Sequence, residues 1–188
     1  MATLTATDPL VEELMKTEGK AEIINGRVVK FMATGDKPAY AAMKITVSLF
    51  LHTEQTGQGR AAQDGAGFLC NLPNRRSFSP DAAYYTGPPG GMSFFPEAPI
   101  FAVEVRSEND YGRRAEAAIT AKIRDYFAAG TEIVWDVDLR NEDVIAKFIA
   151  PDADTPQFFR RGEIADAETG VVGWTFAVDA LFEAPRSN

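Results

Sequence analysis

The chain has 188 residues, of which 45% are hydrophobic, and a formal net charge of −8 at neutral pH. This length and hydrophobic content predict a single domain, residues 1–188, with a full core. The net negative charge argues against a protein that coats duplex DNA nonspecifically, because such binding depends on many Lys and Arg contacts to phosphate. Cys70 is the only cysteine and His52 the only histidine, which excludes an intrachain disulfide and the usual zinc sites.

The sequence also bears on cellular location. It contains no run of about 20 apolar residues that could cross a membrane. Its N-terminus lacks the charged start and the long apolar stretch of a secretory signal. We therefore expect a cytoplasmic protein that does not associate with a membrane.

The N-terminal part of the chain predicts two helices separated by a hairpin. Asp8 suits the N-cap and Pro9 the first turn of a helix that reaches about residue 18. The Asn25-Gly26 pair between two β-branched runs is typical of a tight hairpin turn. A second helix is predicted over about Pro38–Thr53, with apolar side chains along one side.

The remainder predicts strands around one long helix, which is expected from about Asp110 to Ala129 and is closed by Gly130. Glycines and prolines between Thr86 and Pro96 predict a loop. Strands are predicted at Ala61–Leu72, Phe78–Tyr85, Pro99–Ser107, Glu132–Val137, Val144–Ile149, Phe158–Arg160 and Val171–Val178. This order indicates an α/β fold: a mixed β-sheet flanked by helices, with an N-terminal hairpin and a β-rich C-terminal extension.

One predicted core strand carries an acidic residue, Glu104, between Val103 and Val105. An ionised carboxylate removed from water needs a partner or a metal. Asp81 follows Pro80 at the start of another predicted strand, and if the two strands pair, both carboxylates can point to the same end of the sheet. Two carboxylates and several waters can bind Mg²⁺. The alternative is that Asp81 caps a turn and that Glu104 forms a salt bridge with an arginine.

Two basic residues are candidates for contacting a phosphate. Lys122 shares a face of the predicted long helix with Tyr126, and an ammonium group there can orient a nucleophile and stabilise developing charge. A solvated lysine is the alternative. Arg106 follows Glu104 by two residues, so it projects from the same face of the strand and can clamp a phosphate with two hydrogen bonds.

The order of these motifs resembles the Uma-two family of proposed restriction endonucleases, which belongs to the restriction-endonuclease-like PD-(D/E)xK superfamily. The resemblance covers roughly residues 8–138. The matching residues are Glu22, Pro80-Asp81, Glu104-Val105-Arg106-Ser107, Lys122, Tyr126, Gly130 and Trp135. It implies a restriction-endonuclease-like fold in which the signature lysine has moved from a strand to the following helix, where Lys122 stands.

The resemblance also implies roles for individual residues. Asp81 and Glu104 would bind Mg²⁺ or Mn²⁺, Lys122 would assist the attacking water, and Glu22 would be an auxiliary acid near the metal. The expected activity is hydrolysis of DNA phosphodiester bonds by a metal-dependent endonuclease.

Substrate binding is expected to involve three arginines, Arg106, Arg113 and Arg114, which can contact backbone phosphates. A homodimer is compatible with this activity, since cutting both strands of a duplex commonly uses two sites. Two acidic residues after this region, Asp136 and Asp138, are interpreted as facing solvent or forming a turn, and Trp135 beside them as a core residue.

Two other functions fit the same residues. The first is a catalytically inactive binding or assembly module that keeps the nuclease fold. It is favoured by the net negative charge and by Tyr40, Ala41 and Ala42, which stand where family members often have a histidine. The second is a hydrolase of a small phosphorylated molecule, which requires a closed pocket and not a groove.

Overall fold

A computed structural model describes residues 8–182, and all helices and strands named below lie within that range. The α-helices are α1 (Pro9–Met15), α2 (Asp36–Thr56) and α3 (Arg113–Ala128), and a 3₁₀ helix spans Val178–Leu181. The strands of the first part are β1 (Ala21–Ile24), β2 (Arg27–Lys30), β3 (Arg60–Gln63), β4 (Phe68–Leu69), β5 (Ser77–Phe78) and β6 (Ala82–Tyr85). The later strands are β7 (Phe101–Val105), β8 (Ile133–Val137), β9 (Asp143–Ile149), β10 (Asp152–Arg160), β11 (Ile164–Asp166) and β12 (Thr175–Ala177).

The central element is a mixed sheet, which within residues 8–182 has six strands in the order β10-β9-β8-β7-β6-β3. Strands β7 and β8 are parallel, and the helix α3 connects them, as a parallel pair requires. The other neighbours in this sheet pair antiparallel. The predicted mixed α/β sheet flanked by helices is therefore confirmed.

The alternation of side chains along β7 decides what each face of the sheet buries. Val103 and Val105 belong to the hydrophobic cluster that includes the buried face of α2. Ala102 belongs to the opposite cluster, together with Ile123 and Tyr126 of α3. Glu104 has the same parity as Ala102, so the strand directs its carboxylate toward α3.

The N-terminal hairpin forms at the predicted turn, where Asn25 and Gly26 both have positive φ values, 50° and 74°. These values are those of the turn that matches the twist of the flanking strands. The hairpin is attached to the rest of the fold through β1, since the Ile23 carbonyl accepts a hydrogen bond from the Arg76 N–H at 3.0 Å. This attachment fixes the position of the buried residues of β1.

Several predicted boundaries differ from the structure. The predicted strand over 61–72 is divided into β3 and β4, because the chain turns at Gly65, whose φ is +86°. The predicted strand over 78–85 is divided into β5 and β6 around Pro80, which cannot donate to a sheet. Helix α1 ends at Met15 and not near residue 18.

The C-terminal part contains a small sheet that was predicted only in part. Of the predicted strand over 171–178, only β12 is extended, and its partner β11 was not predicted. Trp135 lies in the core as expected, with no exposed surface. Among residues 8–182, no helix is long and apolar enough to span a membrane.

An ion pair between a buried lysine and a partly exposed aspartate connects β11 to the central sheet and provides a stability prediction. Lys147 of β9 is 4% exposed, and its ammonium contacts the carboxylate of Asp166 at 2.6 Å. Replacing Asp166 by asparagine leaves the buried ammonium without a counter-charge, so we expect the free energy of unfolding to fall by about 2 kcal/mol. Replacing Lys147 by methionine leaves a partly exposed carboxylate, so the loss measured by urea unfolding should be smaller.

The same pair predicts a pH dependence. Burial opposes ionisation of Asp166, but Lys147 and the Glu168 N–H outweigh it and lower the pKa of Asp166 below its ordinary value of 3.8. A lowered pKa contributes stability that is complete above the ordinary value and is lost as the pH falls through the lowered one. As the pH falls below the ordinary pKa of aspartate, the free energy of unfolding should therefore decrease less in the Asp166→Asn variant than in the wild type. The same decrease in both proteins would contradict this assignment.

Candidate active site

A cavity of about 1110 Å³ lies where the hairpin, the sheet and α3 meet. Charged side chains from separate elements line it, including every residue predicted to be catalytic. These are Glu22 from β1, Asp81 from the turn before β6, Glu104 from β7 and Lys122 from α3. The fold therefore brings together residues that are far apart in the sequence.

Glu104 is held by two donors from α3. The hydroxyl of Tyr126 donates to its Oε1 at 2.6 Å, and the Lys122 ammonium contacts the same oxygen at 2.8 Å. Lys122 and Tyr126 are four residues apart, so one face of the helix presents both groups to β7. The helix lysine thus points into the cavity and not into bulk solvent.

Asp81 is fixed by the backbone of β7. Its N–H donates to the Val103 carbonyl at 3.0 Å, and its Oδ2 accepts the Val105 N–H at 2.7 Å. Its other oxygen, Oδ1, contacts the ammonium of Lys20 at 2.5 Å. The carboxylate therefore lies at the same end of the sheet as Glu104, as the sequence predicted for paired strands.

Glu22 has no exposed surface and is surrounded by donors. Its Oε1 contacts the Lys122 ammonium at 3.0 Å and accepts the Ser79 N–H at 3.0 Å. Its Oε2 pairs with the guanidinium of Arg75, which also contacts Asp125 of α3 at 2.9 Å. Lys122 is therefore fixed between two carboxylates, Glu104 and Glu22.

The pKa values in this cluster follow from burial and from these charges. Burial and the nearby Asp81 carboxylate raise the pKa of Glu104 despite Lys122. Burial also disfavours ionised Glu22, but Lys122 and Arg75 outweigh it and lower the pKa of Glu22. Burial opposes the charge of Lys122, yet Glu104 and Glu22 raise its pKa, so its ammonium remains protonated near neutral pH.

Lys20 and Arg75 are site residues that were not predicted from the sequence. Lys20 directly precedes β1 and stands two residues before Glu22, so the alternation of side chains along an extended chain places both on one side. This spacing could have identified Lys20 as a neighbour of the site. Arg75 lies in a segment without periodicity between β4 and β5, and it reaches Glu22 only through tertiary packing. No sequence pattern connected it to the site.

Arg106 lies on the cavity wall, but carboxylates occupy its guanidinium. It contacts Asp136 at 2.6 Å and Glu116 at 2.6 Å. The interpretation of Asp136 as facing solvent or forming a turn was wrong: it is 5% exposed. Asp136 is paired with Glu104 in the parallel register of β7 and β8, so its side chain lies on the same covered face of the sheet as that of Glu104. Asp138 does form a turn, accepting the Arg140 N–H at 2.9 Å.

Arg113 and Arg114 occupy a different position from the other predicted site residues. Both are exposed in the first turn of α3, and neither is among the residues that line the cavity. The structure therefore separates them from the acidic cluster. Contact with a nucleic acid outside the cavity stays a prediction for both.

The acidic residues suit a hard divalent cation with few protein ligands. Among residues 8–182, no group of three or more His, Cys, Asp or Glu side chains is arranged to hold a metal ion. Asp81 and Glu104 supply two carboxylates that line one cavity, and Asp81 is hydrogen-bonded to the backbone of Val103 and Val105, the residues on either side of Glu104. Mg²⁺ is typically bound by one or two carboxylates together with waters and substrate phosphates, so these residues fit it.

The hydrogen bond from Tyr126 to Glu104 can be tested by a conservative substitution. Tyr126 is fully buried, and Tyr126→Phe removes only the hydroxyl that donates to the carboxylate. We expect the free energy of unfolding to fall by about 1.5–3 kcal/mol, the usual contribution of a hydrogen bond to a charged group. Urea unfolding of this variant measures the change, and an unaltered midpoint would show that the bond contributes nothing.

Similarity to known proteins supports the same fold and family. A profile of the Uma2 family, described as putative restriction endonuclease, matches residues 9–179. The chain belongs to the Uma2 family. The resemblance predicted from the ordered motifs is therefore confirmed.

A solved structure shares the fold of this protein over nearly the whole chain. The crystal structure of a putative nuclease belonging to DUF820 from Anabaena variabilis is similar to this Uma2 protein with a TM-score of 0.71 and 14% sequence identity. The match covers 93% of this chain and 98% of that chain. It confirms the predicted nuclease-like architecture. No protein in the search of curated proteins matches the chain.

Proposed function

We propose that this Uma2 protein is a metal-dependent endonuclease that hydrolyses DNA phosphodiester bonds. The observation that carries the proposal is the position of the Lys122 ammonium, 2.8 Å from Glu104 and 3.0 Å from Glu22 in a cavity that Asp81 also lines. The carboxylates of Asp81 and Glu104 can bind a cation, and the protonated Lys122 beside them can bind a phosphate. Membership of the Uma2 family, whose description is putative restriction endonuclease, supports the same reaction class.

Asp81 and Glu104 would hold Mg²⁺ or Mn²⁺. When bound, the cation supplies Lewis-acid polarisation of the phosphate and makes water more acidic. The protein prepares for this by fixing Asp81 through the Val105 N–H and Glu104 through Tyr126. Both carboxylates are thereby oriented before any ligand arrives, which reduces the entropic cost of binding.

Lys122 would act on the phosphate and on the attacking water. Its pKa is raised by Glu104 and Glu22 against the effect of burial, so it donates hydrogen bonds and does not accept a proton near neutral pH. A fixed positive charge in a partly enclosed cavity stabilises the negative charge that develops in the transition state. Glu22, held by Arg75, would act as a positioning residue for Lys122.

The remaining arginines would contact the DNA backbone outside the acidic cluster. Arg113 and Arg114 are exposed at the start of α3, where the helix N-terminus also favours anions. Arg106 is engaged by Asp136 and Glu116, so it would instead hold the start of α3 against the sheet. We therefore expect neutralisation of Arg113 and Arg114 to weaken binding without changing the chemistry.

The test is cleavage of plasmid and single-stranded DNA in Mg²⁺ or Mn²⁺ by the purified wild type, Asp81→Ala and Glu104→Ala. Both variants should lose cleavage, because each removes one of the proposed cation ligands. A matched control is Glu54→Ala, which removes an exposed glutamate in the last turn of α2. Equal cleavage by all four proteins would show that a contaminant or another site is responsible.

Metal titration separates this proposal from an inactive module with the same fold. Calorimetric titration of the wild type with Mn²⁺ should show binding that Asp81→Ala abolishes. A wild type that neither binds Mn²⁺ at millimolar concentration nor cleaves DNA would favour a binding or assembly module.

A further inference from the structure

Lys20 forms a bridge between a site carboxylate and a carboxylate outside the site. Its ammonium contacts Asp81 at 2.5 Å and Asp64 at 2.8 Å. The Lys20 side chain is 16% exposed and that of Asp81 is 9% exposed, whereas that of Asp64 is 42% exposed. Asp64 lies in the turn after β3 and is not among the residues that line the cavity. One ammonium is thus shared between the cavity and the surface.

The two contacts of Lys20 are not equivalent. Asp81 is a proposed cation ligand. The Lys20 ammonium beside it occupies the position that a divalent cation would take and neutralises the negative charge that would attract the cation. Asp81 is also held through its other oxygen by the Val105 N–H at 2.7 Å, so its orientation does not depend on Lys20. Asp64 offers the displaced ammonium a second carboxylate that it already contacts, so Lys20 need not become a buried charge without a partner.

We propose that Lys20 is the exchangeable counter-ion of Asp81: a divalent cation entering the site displaces its ammonium, and Asp64 retains it. This inference rests on the proposed cation site at Asp81 and Glu104. The exchange would replace the ion pair between Lys20 and Asp81 by a bond from the Asp81 carboxylate to the cation; no covalent bond of the protein changes and no proton moves. Lys20 then sets the affinity for the metal, and Asp64 lowers the free-energy cost of releasing the Lys20 ammonium from Asp81.

The exchange predicts changes of opposite sign for the two partners of the bridge. Lys20→Met removes the competing cation and should tighten Mn²⁺ binding by about tenfold. Asp64→Asn removes the second carboxylate, so the ammonium stays on Asp81 and Mn²⁺ should bind several-fold more weakly. Titration calorimetry of the full chain with Mn²⁺ measures both dissociation constants directly, without a cleavage assay.

The double variant distinguishes exchange from a simple effect of local charge. If Asp64 acts only through Lys20, Asp64→Asn should have no effect on Mn²⁺ binding in the Lys20→Met background. If both side chains act independently through their electric fields, their effects on the binding free energy should add. Asp154→Asn is the matched control, because Asp154 pairs with the exposed Arg124 and does not line the cavity.

The outcomes of this cycle separate the inference from the proposed function. Tighter binding by Lys20→Met, weaker binding by Asp64→Asn and no additional effect in the double variant support the exchange. Additive effects overturn it while leaving the cation site intact. A wild type that does not bind Mn²⁺ overturns both. Thermal unfolding checks that each variant is folded. If Lys20→Met does not fold, the surface variant Asp64→Asn still tests the proposal, because unchanged Mn²⁺ binding by that variant alone overturns the exchange.

Discussion

Lys122→Met is expected to slow DNA cleavage by about 10²–10³-fold, the usual cost of removing one group that stabilises transition-state charge. The ammonium lies 2.8 Å from Glu104 and lines the cavity, so its loss removes the positive charge that contacts this proposed cation ligand. Asp81 and Glu104 are both retained, so Mn²⁺ binding should persist. Single-turnover cleavage and Mn²⁺ titration of the same preparation measure the two properties separately.

Two substitutions sharpen this test. Lys16→Met removes an exposed lysine whose side chain is 79% accessible, and it should leave cleavage unchanged. Lys122→Arg keeps the charge but replaces a compact ammonium by a planar guanidinium, so it should recover only part of the rate. Wild-type cleavage by Lys122→Met would remove this residue from the mechanism.

Glu22→Ala should lower the free energy of unfolding by about 3–5 kcal/mol, because it leaves two cations without their shared buried partner. Glu22 has no exposed surface, and its carboxylate pairs with Lys122 and with Arg75. The Ser79 N–H also loses its acceptor. Urea unfolding, followed by circular dichroism, measures the change.

An exposed ion pair provides the control for this prediction. The side chains of Glu108 and Arg140 are 80% and 54% exposed, and Glu108→Ala should leave the unfolding midpoint unchanged. Glu22→Gln tests charge at nearly constant volume, and it should be destabilising but less so than alanine. An unchanged unfolding midpoint for Glu22→Ala would show that Glu104 and Asp125 alone compensate the charges of Lys122 and Arg75.

The parts of the fold that were predictable are those encoded by local sequence. The Asn25-Gly26 turn and the Asp8 cap depend on backbone geometry within a few residues, and both form where expected, with the Leu10 N–H donating to Asp8 at 3.0 Å. The strand containing Glu104 was recognised because its apolar neighbours signalled burial. The divided strands were harder, since Gly65 and Pro80 interrupt apolar runs that otherwise look continuous.

In the candidate site, too, the residues with a local sequence signal were predictable and those that depend on tertiary packing were not. Glu104 and Lys122 could be selected from the sequence because one is a carboxylate in an apolar strand and the other lies on the following helix. Asp136 was misjudged because its burial depends on the parallel pairing of β7 with β8, which the sequence does not specify locally. Arg75 was missed because its partners, Glu22 and Asp125, come from other elements. The catalytic roles themselves stay predictions until variants are assayed.

The most direct test of the cation site is a crystal structure of the wild type soaked in Mn²⁺, with anomalous scattering used to locate the ion. We expect a manganese peak bonded to carboxylate oxygens of both Asp81 and Glu104, at about the 2.1 Å typical of small oxygen-bound divalent ions. The Lys122 ammonium should lie beside it. A peak that contacts neither carboxylate, or no peak in the cavity at millimolar Mn²⁺, would contradict the proposed site.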